Sequence, residues 1–355
     1  MPATKKSPSQ KLSPAVPYRP ASTIWQLMWA PMRLQVMLAA IKNGYFDALK
    51  IRPTSVATVA RITRTDARAA RMVLDELTAE GLLKKSGSQY GLAPEAALYL
   101  TSDSPVGMTG MLTHAGDLVE GWMKLGDVMR SGKPVVELND IKQGEEFFRM
   151  LVRGLFSCSY ASANLLLSKV PLSRTAPLRV LDVAGGSAAW SLPFIQRYPK
   201  ATGVVADLPG VLPVAREFVE KFGVADRYDY IAGNIRETAF GKNSFDLIIL
   251  GHICHSEGAK WSKRLIRKCA AALKPGGRLI IPDMVPNDSR TGPVFPLLFA
   301  INMLLNTRDG DTFTPADYKE WVKAAGLKFD RVMPAQTVGT EVVMATKAAI
   351  GKRAR

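Results

Sequence analysis

The chain has 355 residues, enough for about two domains. Hydrophobic residues make up 47% and charged residues 22%, the balance of a folded globular protein, and no apolar run approaches the ~18 residues that would span a membrane. The formal net charge is +16, but eight of the 47 basic residues sit in the tails, at Lys5, Lys6, Lys11, Arg19, Lys347, Lys352, Arg353 and Arg355, and the other 39 face 31 acids. That moderate excess reads as solvated tails in preference to attraction toward nucleic acid or an anionic surface.

Residues 1–20 hold five prolines and four basic residues with no apolar core, so they read as a disordered basic tail without a signal peptide. Residues 22–42 read as a helix that Ser22 or Thr23 can cap and Asn43-Gly44 ends. Pro31 should kink it, and Trp25, Leu27, Met28, Trp29, Met32, Val36, Leu38 and Ile41 give it more apolar surface than one helix can hide. Such a helix packs against a second domain or a second subunit.

A winged-helix pattern follows over 54–94: a short helix at 54–62, a turn at 63–66, a second helix to Ala79, a stop at Gly81, then a two-stranded wing around Gly87. Arg64, Arg68, Arg71, Lys84 and Lys85 would suit DNA phosphates, but Asp66, Asp75 and Glu76 on the would-be recognition helix oppose entry into a groove. A scaffold is the preferred reading, and nucleic acid is not expected as a partner. Residues 111–170 read as further helices, with Phe147, Phe148, Met150, Phe156 and Tyr160 forming either core or one wall of an apolar pocket.

From residue 178 strands alternate with helices. Strands are expected at 178–184, 201–207, 228–233, 245–251 and 278–283, with helices at 188–198, 213–222 and 260–273 between them. This predicts a doubly wound α/β sheet whose ligands gather at the carboxyl ends of the strands. Three features stand there: the small-residue turn Asp182-Val-Ala-Gly185-Gly186-Ser-Ala188, Asp207 25 positions after Asp182, and Gly233-Asn234-Ile235. Small residues admit a ligand to the backbone, and a carboxylate at the second strand's end suits a ribose diol. The glycine spacing differs from the Gly-x-Gly-x-x-Gly of nicotinamide sites, so a pyrophosphate is not the obvious ligand. Cys158, Cys254 and Cys269 form no CxxC pair, which argues against zinc or a disulfide framework and fits a reducing cytoplasm.

Residues 178–345 resemble the O-methyltransferase family that includes plant caffeate and isoflavone enzymes, bacterial polyketide O-methyltransferases and hydroxyindole O-methyltransferase. The resemblance lies in Asp182-Val-Ala-Gly-Gly-Ser-Ala188, Asp207-Leu208-Pro209, Gly233-Asn234-Ile235 and Ala271-Ala-Leu-Lys-Pro-Gly-Gly277. Alanine replaces the first and last glycines of the family's first motif, which is tolerable if the backbone there keeps negative φ. Residues 22–110 are similar to the same family's winged-helix dimerisation domain.

The resemblance implies an α/β, Rossmann-like class I methyltransferase domain at 171–348, preceded by a winged-helix dimerisation domain at 21–110 and a helical linker with pocket helices at 111–170, and followed by a basic tail at 349–355. It implies S-adenosylmethionine as cofactor, held by Asp182, Gly185, Gly186, Asp207, Leu208, Gly233, Asn234, Ile235 and His252, and a homodimer. Counting back from Ala272-Leu273 places the family's catalytic base on His255. A neutral imidazole there would deprotonate a phenol-type hydroxyl. Of the family's two orienting acids, one falls on Asp283 and the other on Thr312, with Asp311 beside it as the candidate substitute; Ser256 and Glu257 replace the usual Asp and Trp. Phe148, Phe156, Phe299 and Met303 are the candidate pocket residues for a small, apolar, aromatic acceptor, and no metal is expected. A carbon methyltransferase of the same fold, acting for instance on a tetrapyrrole ring, and a cofactor-binding or DNA-binding regulator without catalysis remain open.

Overall fold

The computed structural model describes residues 22–104, 107–138, 141–170, 172, 176–335 and 339–349. The two expected tails, apart from Ala349, lie outside the described residues. The chain divides into two compact units, with the boundary after Gly91.

The first unit contains α1 (Ser22–Lys42), α2 (Tyr45–Leu49), β1 (Thr54–Ser55), α3 (Val56–Thr63), α4 (Ala67–Ala79), β2 (Leu83–Ser86) and β3 (Gln89–Leu92). Helix α1 runs through Pro31 as one element, so the proline does not divide it. Proline there removes one N–H donor, and the Leu27 carbonyl it strands lies on an exposed turn that water can reach. Ser55 caps α3 by accepting from the Thr58 N–H, and Asp66 caps α4 by accepting from the Ala69 N–H at 2.9 Å. Strand order is β1-β3-β2, and Phe46, Leu49, Val59, Leu74, Leu77 and Tyr90 fill the core. Asp75 accepts from Lys85 Nζ and Tyr90 OH, each at 2.6 Å, and from Arg71 at 3.0 Å. Those donors, Lys85 first, draw its carboxyl down to about 2. Among the described residues the first three turns of α1 are uncovered on every side, with Ile24, Trp25, Leu27, Met28, Trp29 and Met32 all exposed.

The second unit opens with helices α5 (Pro94–Tyr99), α6 (Thr109–Trp122), α7 (Leu125–Ser131), α8 (Ile141–Gly154) and α9 (Phe156–Leu166). The α/β part follows as β4 (Leu178–Val183), α10 (Leu192–Arg197), β5 (Ala201–Asp207), α11 (Leu212–Lys221), β6 (Tyr228–Ala232), β7 (Phe245–Ile249), α12 (Cys254–Ala272), β8 (Leu273–Asp283), α13 (Val294–Asn306), α14 (Pro315–Ala324), β9 (Leu327–Pro334) and β10 (Glu341–Lys347). The seven strands lie in the order β6-β5-β4-β7-β8-β10-β9. The pairs from β6 to β8 are parallel, and β10 runs antiparallel to β8 and β9.

Alternate residues of each strand feed two separate cores, as the two-residue period of a strand requires. Val180, Val205, Ile249 and Ile280 join Phe194 and Phe218 on one face. Leu181, Val204, Ile248 and Leu279 join Leu265, Tyr318 and Trp321 on the other.

Three element boundaries differ from the sequence reading. The helix expected from 188 begins only at Leu192, because Ala188 has φ +60° and sits in a turn. Helix α12 begins six residues early, at Cys254, and accommodates a kink at Gly258. Strand β8 begins at Leu273 and takes up the Lys-Pro-Gly-Gly segment expected to be loop. Beyond residue 283 the sequence reading assigned no further strand or helix, and α13, α14, β9 and β10 complete the unit.

Candidate active site

The carboxyl edge of the sheet brings together the ends of β4, β5, β6, β7 and β8. Its first part is the turn after β4. Ala184 and Ala188 both take positive φ, +53° and +60°, against the expectation of negative φ. The turn therefore keeps a glycine backbone with alanine side chains, at a cost of roughly 1–2 kcal/mol for each alanine. Gly185 is required by close approach: a Cβ there would stand 2.8 Å from Asp182 Cγ and 3.0 Å from Val205 Cγ1.

Asp182 is fully buried and accepts from the Ser191 N–H at 3.1 Å, while its Oδ1 has no partner among the described residues. Burial pushes its carboxyl up to about 7, against the opposing Ser191 hydrogen bonds. Asp207, at the end of β5, accepts from the Gly186 N–H at 2.8 Å and the Leu208 N–H at 2.7 Å. Burial again dominates and pushes it up to about 6, with Glu145 adding a like charge. Glu145 lies on α8, and its carboxylate accepts from the Gly210 N–H in the loop after β5.

Gly233 donates its N–H to the Asp207 carbonyl at 3.0 Å, which ties the Asn234 turn to the end of β5. Asn234 Oδ1 accepts from the Arg236 N–H at 2.9 Å, and Ile235 is buried in the second core with Phe240. The ring of His252 lies edge-on to Trp190 at 5.3 Å and its Nε2 pairs with Thr340 Oγ1 at 3.3 Å. Burial lowers its pKa to about 4, so the ring is neutral near pH 7.

The second part of the edge is built on His255 and Asp283. His255 Nδ1 lies 2.6 Å from Asp283 Oδ1. Asp283, only 1% exposed, also accepts from the His255 N–H at 3.2 Å, the Met284 N–H at 2.9 Å and the Tyr318 hydroxyl at 2.7 Å. Burial raises its pKa, but the neighbouring imidazole and these donors outweigh it and hold the carboxyl below its usual range. An ionised Asp283 can only accept here, so the His255 tautomer that fits carries its proton on Nδ1 and donates it to Oδ1. Nε2 is left as an acceptor, with no partner among the described residues. Gly258 has φ +73°, and its Cα lies so close to the Asp309 carbonyl that no side chain fits.

Other predicted residues fall elsewhere. Asp311 touches His255 only through its backbone N–H, which donates to the His255 carbonyl at 2.9 Å; its carboxylate turns to Arg290 at 3.6 Å. The same Oδ1 accepts from the Thr312 N–H at 2.7 Å, and the carboxylate makes no contact with the His255 ring among the described residues. Thr312 is fully buried, and its hydroxyl has no partner among the described residues. Glu257 pairs with Arg236 at 2.7 Å, joining the turn after β6 to α12.

Phe299 meets His255 edge-on at 4.9 Å, and Met303 is buried one helical turn further along α13. Phe148, half-buried on α8, packs edge-on against Phe147. Phe156 is corrected from pocket wall to core: it is buried and stacks on Phe218 at 3.9 Å. Tyr318 and Glu145 were missed. Nothing local marks either one, since their partners lie 35 and 65 positions away. Among the described residues no three His, Cys, Asp or Glu side chains converge to hold a metal ion, and no helix is long and apolar enough to cross a membrane.

The parallel sheet with one reversed strand, the carboxylate ending β5 and the glycine turn after β4 belong to a class I S-adenosylmethionine-dependent methyltransferase, as the family match shows. Residues 122–328 match the O-methyltransferase domain and residues 25–102 the O-methyltransferase dimerisation domain, and the chain belongs to that family. A 3-hydroxy-5-methyl-1-naphthoate 3-O-methyltransferase of Streptomyces sahachiroi is 28% identical over 322 residues, covering 88% of this chain and 91% of its own. Acetylserotonin O-methyltransferase of Mus musculus is 27% identical over 318 residues, 83% of this chain and 81% of that protein. The crystal structure of human N-acetylserotonin methyltransferase in complex with SAM superposes with a TM-score of 0.81 at 23% identity, over 95% of this chain and 100% of that one.

Proposed function

We propose that the chain methylates a hydroxyl of a small, largely apolar, aromatic acceptor, with His255 as general base. The observation that carries this is the 2.6 Å contact between His255 Nδ1 and Asp283, which leaves Nε2 as a proton acceptor beside Phe299. The names of the relatives support the acceptor class, since a hydroxynaphthoate and acetylserotonin are both aromatic.

The cofactor residues fit their ligand. The orphaned Oδ1 of Asp182 and the spare lone pairs of Asp207 suit hydroxyl and ammonium donors. We assign the ribose to Asp207, the methionine end to the turn at Asp182, Gly185 and Gly186, and the adenine to Leu208, Gly233, Asn234 and Ile235. His252, held by Trp190 and Thr340, closes that side as a neutral ring. When bound, S-adenosylmethionine supplies an electrophilic methyl whose bond to sulfur breaks, with the electron pair staying on sulfur, as the bond to the acceptor oxygen forms. His255 Nε2 takes the hydroxyl proton in that step, and Asp283 stabilises the imidazolium. Phe299 and Met303 offer the acceptor an apolar wall.

The test uses 3-hydroxy-5-methyl-1-naphthoate and N-acetylserotonin as probe acceptors. His255→Ala should lose ~10²–10⁴-fold in turnover while keeping its cofactor affinity. Turnover near the parent level would exclude the base, and NMR of the product would then show whether oxygen or carbon received the methyl. We further propose a cytoplasmic homodimer formed through the exposed apolar face of α1, as the match to the dimerisation domain suggests. An apolar patch of that kind is rare on monomers. Light scattering should report twice the chain mass, and a monomer at micromolar concentration would exclude that assembly.

A further inference from the structure

Asp283 is the one carboxylate in contact with His255 among the described residues. Asp311 faces Arg290, and Thr312 has no charge to offer. Holding the imidazole therefore falls to a single side chain, and its orientation depends on what holds Asp283 in turn.

Four donors do so, and they divide between its two oxygens. Oδ1 takes His255 Nδ1 and the Met284 N–H; Oδ2 takes the Tyr318 hydroxyl at 2.7 Å and the His255 N–H at a longer 3.2 Å. Three residues supply these four donors: His255 opens α12, Met284 follows β8, and Tyr318 comes from α14. It stands in the first turn of α14, where Thr314 and Asp317 form a reciprocal cap. Its ring is fully buried, edge-on to Phe313 and Trp321. Burial, the adjacent Asp283 carboxylate and the Cys254 thiol push its own pKa well up, so the hydroxyl keeps its proton and donates it to Asp283 Oδ2. The group that holds Oδ2 is thus itself rigid on every side.

We propose that Tyr318 is a positioning residue for the base. Its hydroxyl fixes the plane of the Asp283 carboxylate, so that Oδ1 stays aligned with Nδ1 and Nε2 stays turned toward the acceptor. Tyr318 transfers no proton. The inference rests on the reading of His255 as base, and it extends the base from a pair to a Tyr318–Asp283–His255 chain that crosses from the sheet edge to α14.

The test needs no acceptor for its first readout. The protein has three histidines, so selective ¹⁵N-histidine labelling of the full-length chain gives few signals, and His255→Ala identifies the one required. In the parent that signal should show an Nδ1–H tautomer with a far-downfield proton, as a short bond to a carboxylate gives. In Tyr318→Phe the proton should move upfield or broaden, with S-adenosylmethionine affinity and thermal midpoint close to the parent's. On 3-hydroxy-5-methyl-1-naphthoate, kcat should fall about three- to tenfold at unchanged KM, the effect of one charge-assisted hydrogen bond. Adding Tyr318→Phe to Asp283→Asn should then cost little more, since one acts through the other. An unchanged imidazole signal in Tyr318→Phe would overturn the proposal while leaving the base intact. A shifted signal with turnover insensitive to His255→Ala would instead reject the base itself.

Discussion

The two halves of the sheet edge bury carboxylates equally well and treat them in opposite ways. Asp182 and Asp207 are pushed up to about 7 and about 6, whereas Asp283 is held below its usual range. Burial penalises all three. What differs is the supply of donors. Asp182 has the Ser191 contacts and an orphaned oxygen, and Asp207 has two backbone N–H groups beside the like charge of Glu145. Asp283 has four donors, one of them an imidazole that can carry charge. The β4–β5 side is thus donor-poor and suited to a ligand that brings donors, while the β7–β8 side is finished by the protein itself.

Substitutions on the two sides should separate cleanly. The largest effect is the turnover loss of His255→Ala, with Asp283→Asn losing less because it orients the ring without moving a proton. Asp207→Ala should do the reverse, weakening S-adenosylmethionine binding about tenfold or more in calorimetry, at ~1.5–3 kcal/mol per charge-assisted hydrogen bond. If both variants lost affinity alike, the division between the sides would fail. The pH dependence sharpens it. Hydroxyl donors favour the ionised carboxylate, so cofactor binding lowers the pKa of Asp207 from about 6. Asp182, pushed up to about 7 on the same side, titrates likewise, so affinity should be level above about 7 and fall as the pH drops through about 7 and about 6, and Asp207→Asn should remove the lower part of that fall.

The smallest effect concerns the strained turn on the donor-poor side. Ala184→Gly should stabilise the fold by about 1 kcal/mol in urea denaturation, since the backbone at φ +53° no longer carries a Cβ. Ala188→Gly should be near neutral, because the relief is offset by the loss of a fully buried methyl. A destabilised Ala184→Gly would show that its methyl packs better than its backbone strains.

Much of this edge was legible in the chain itself. The strands from 178 to 283 read as buried runs, and Asp182, Asp207 and Gly233 fall at their ends. His255 could be placed by counting from Ala272-Leu273 because no gap intervenes. The later elements were harder to see. Strands β9 and β10 are antiparallel and mixed in polarity, and β9 is largely exposed, so its pattern is weak. Phe156 looked the same as core or as pocket wall until its stack on Phe218 was seen. Asp311 looked equivalent to an orienting acid until Arg290 claimed it.

The sequence alone determined the class of sheet, because each strand and helix is written in a short run of neighbouring residues, and it nominated the turn after Asp182 and, by its spacing from Ala272-Leu273, His255. Tertiary structure decided the sign of the shifts at Asp207 and Asp283, since that depends on groups brought from distant segments: the like charge of Glu145 beside the loop beyond Asp207, and the Tyr318 hydroxyl at Asp283. It also decided that both alanines of the first motif keep a glycine backbone. At Ala184 that conformation goes with an N–H donated to the Ala206 carbonyl of the neighbouring strand, a partner outside the motif; Ala188 closes a local turn on the Gly185 carbonyl.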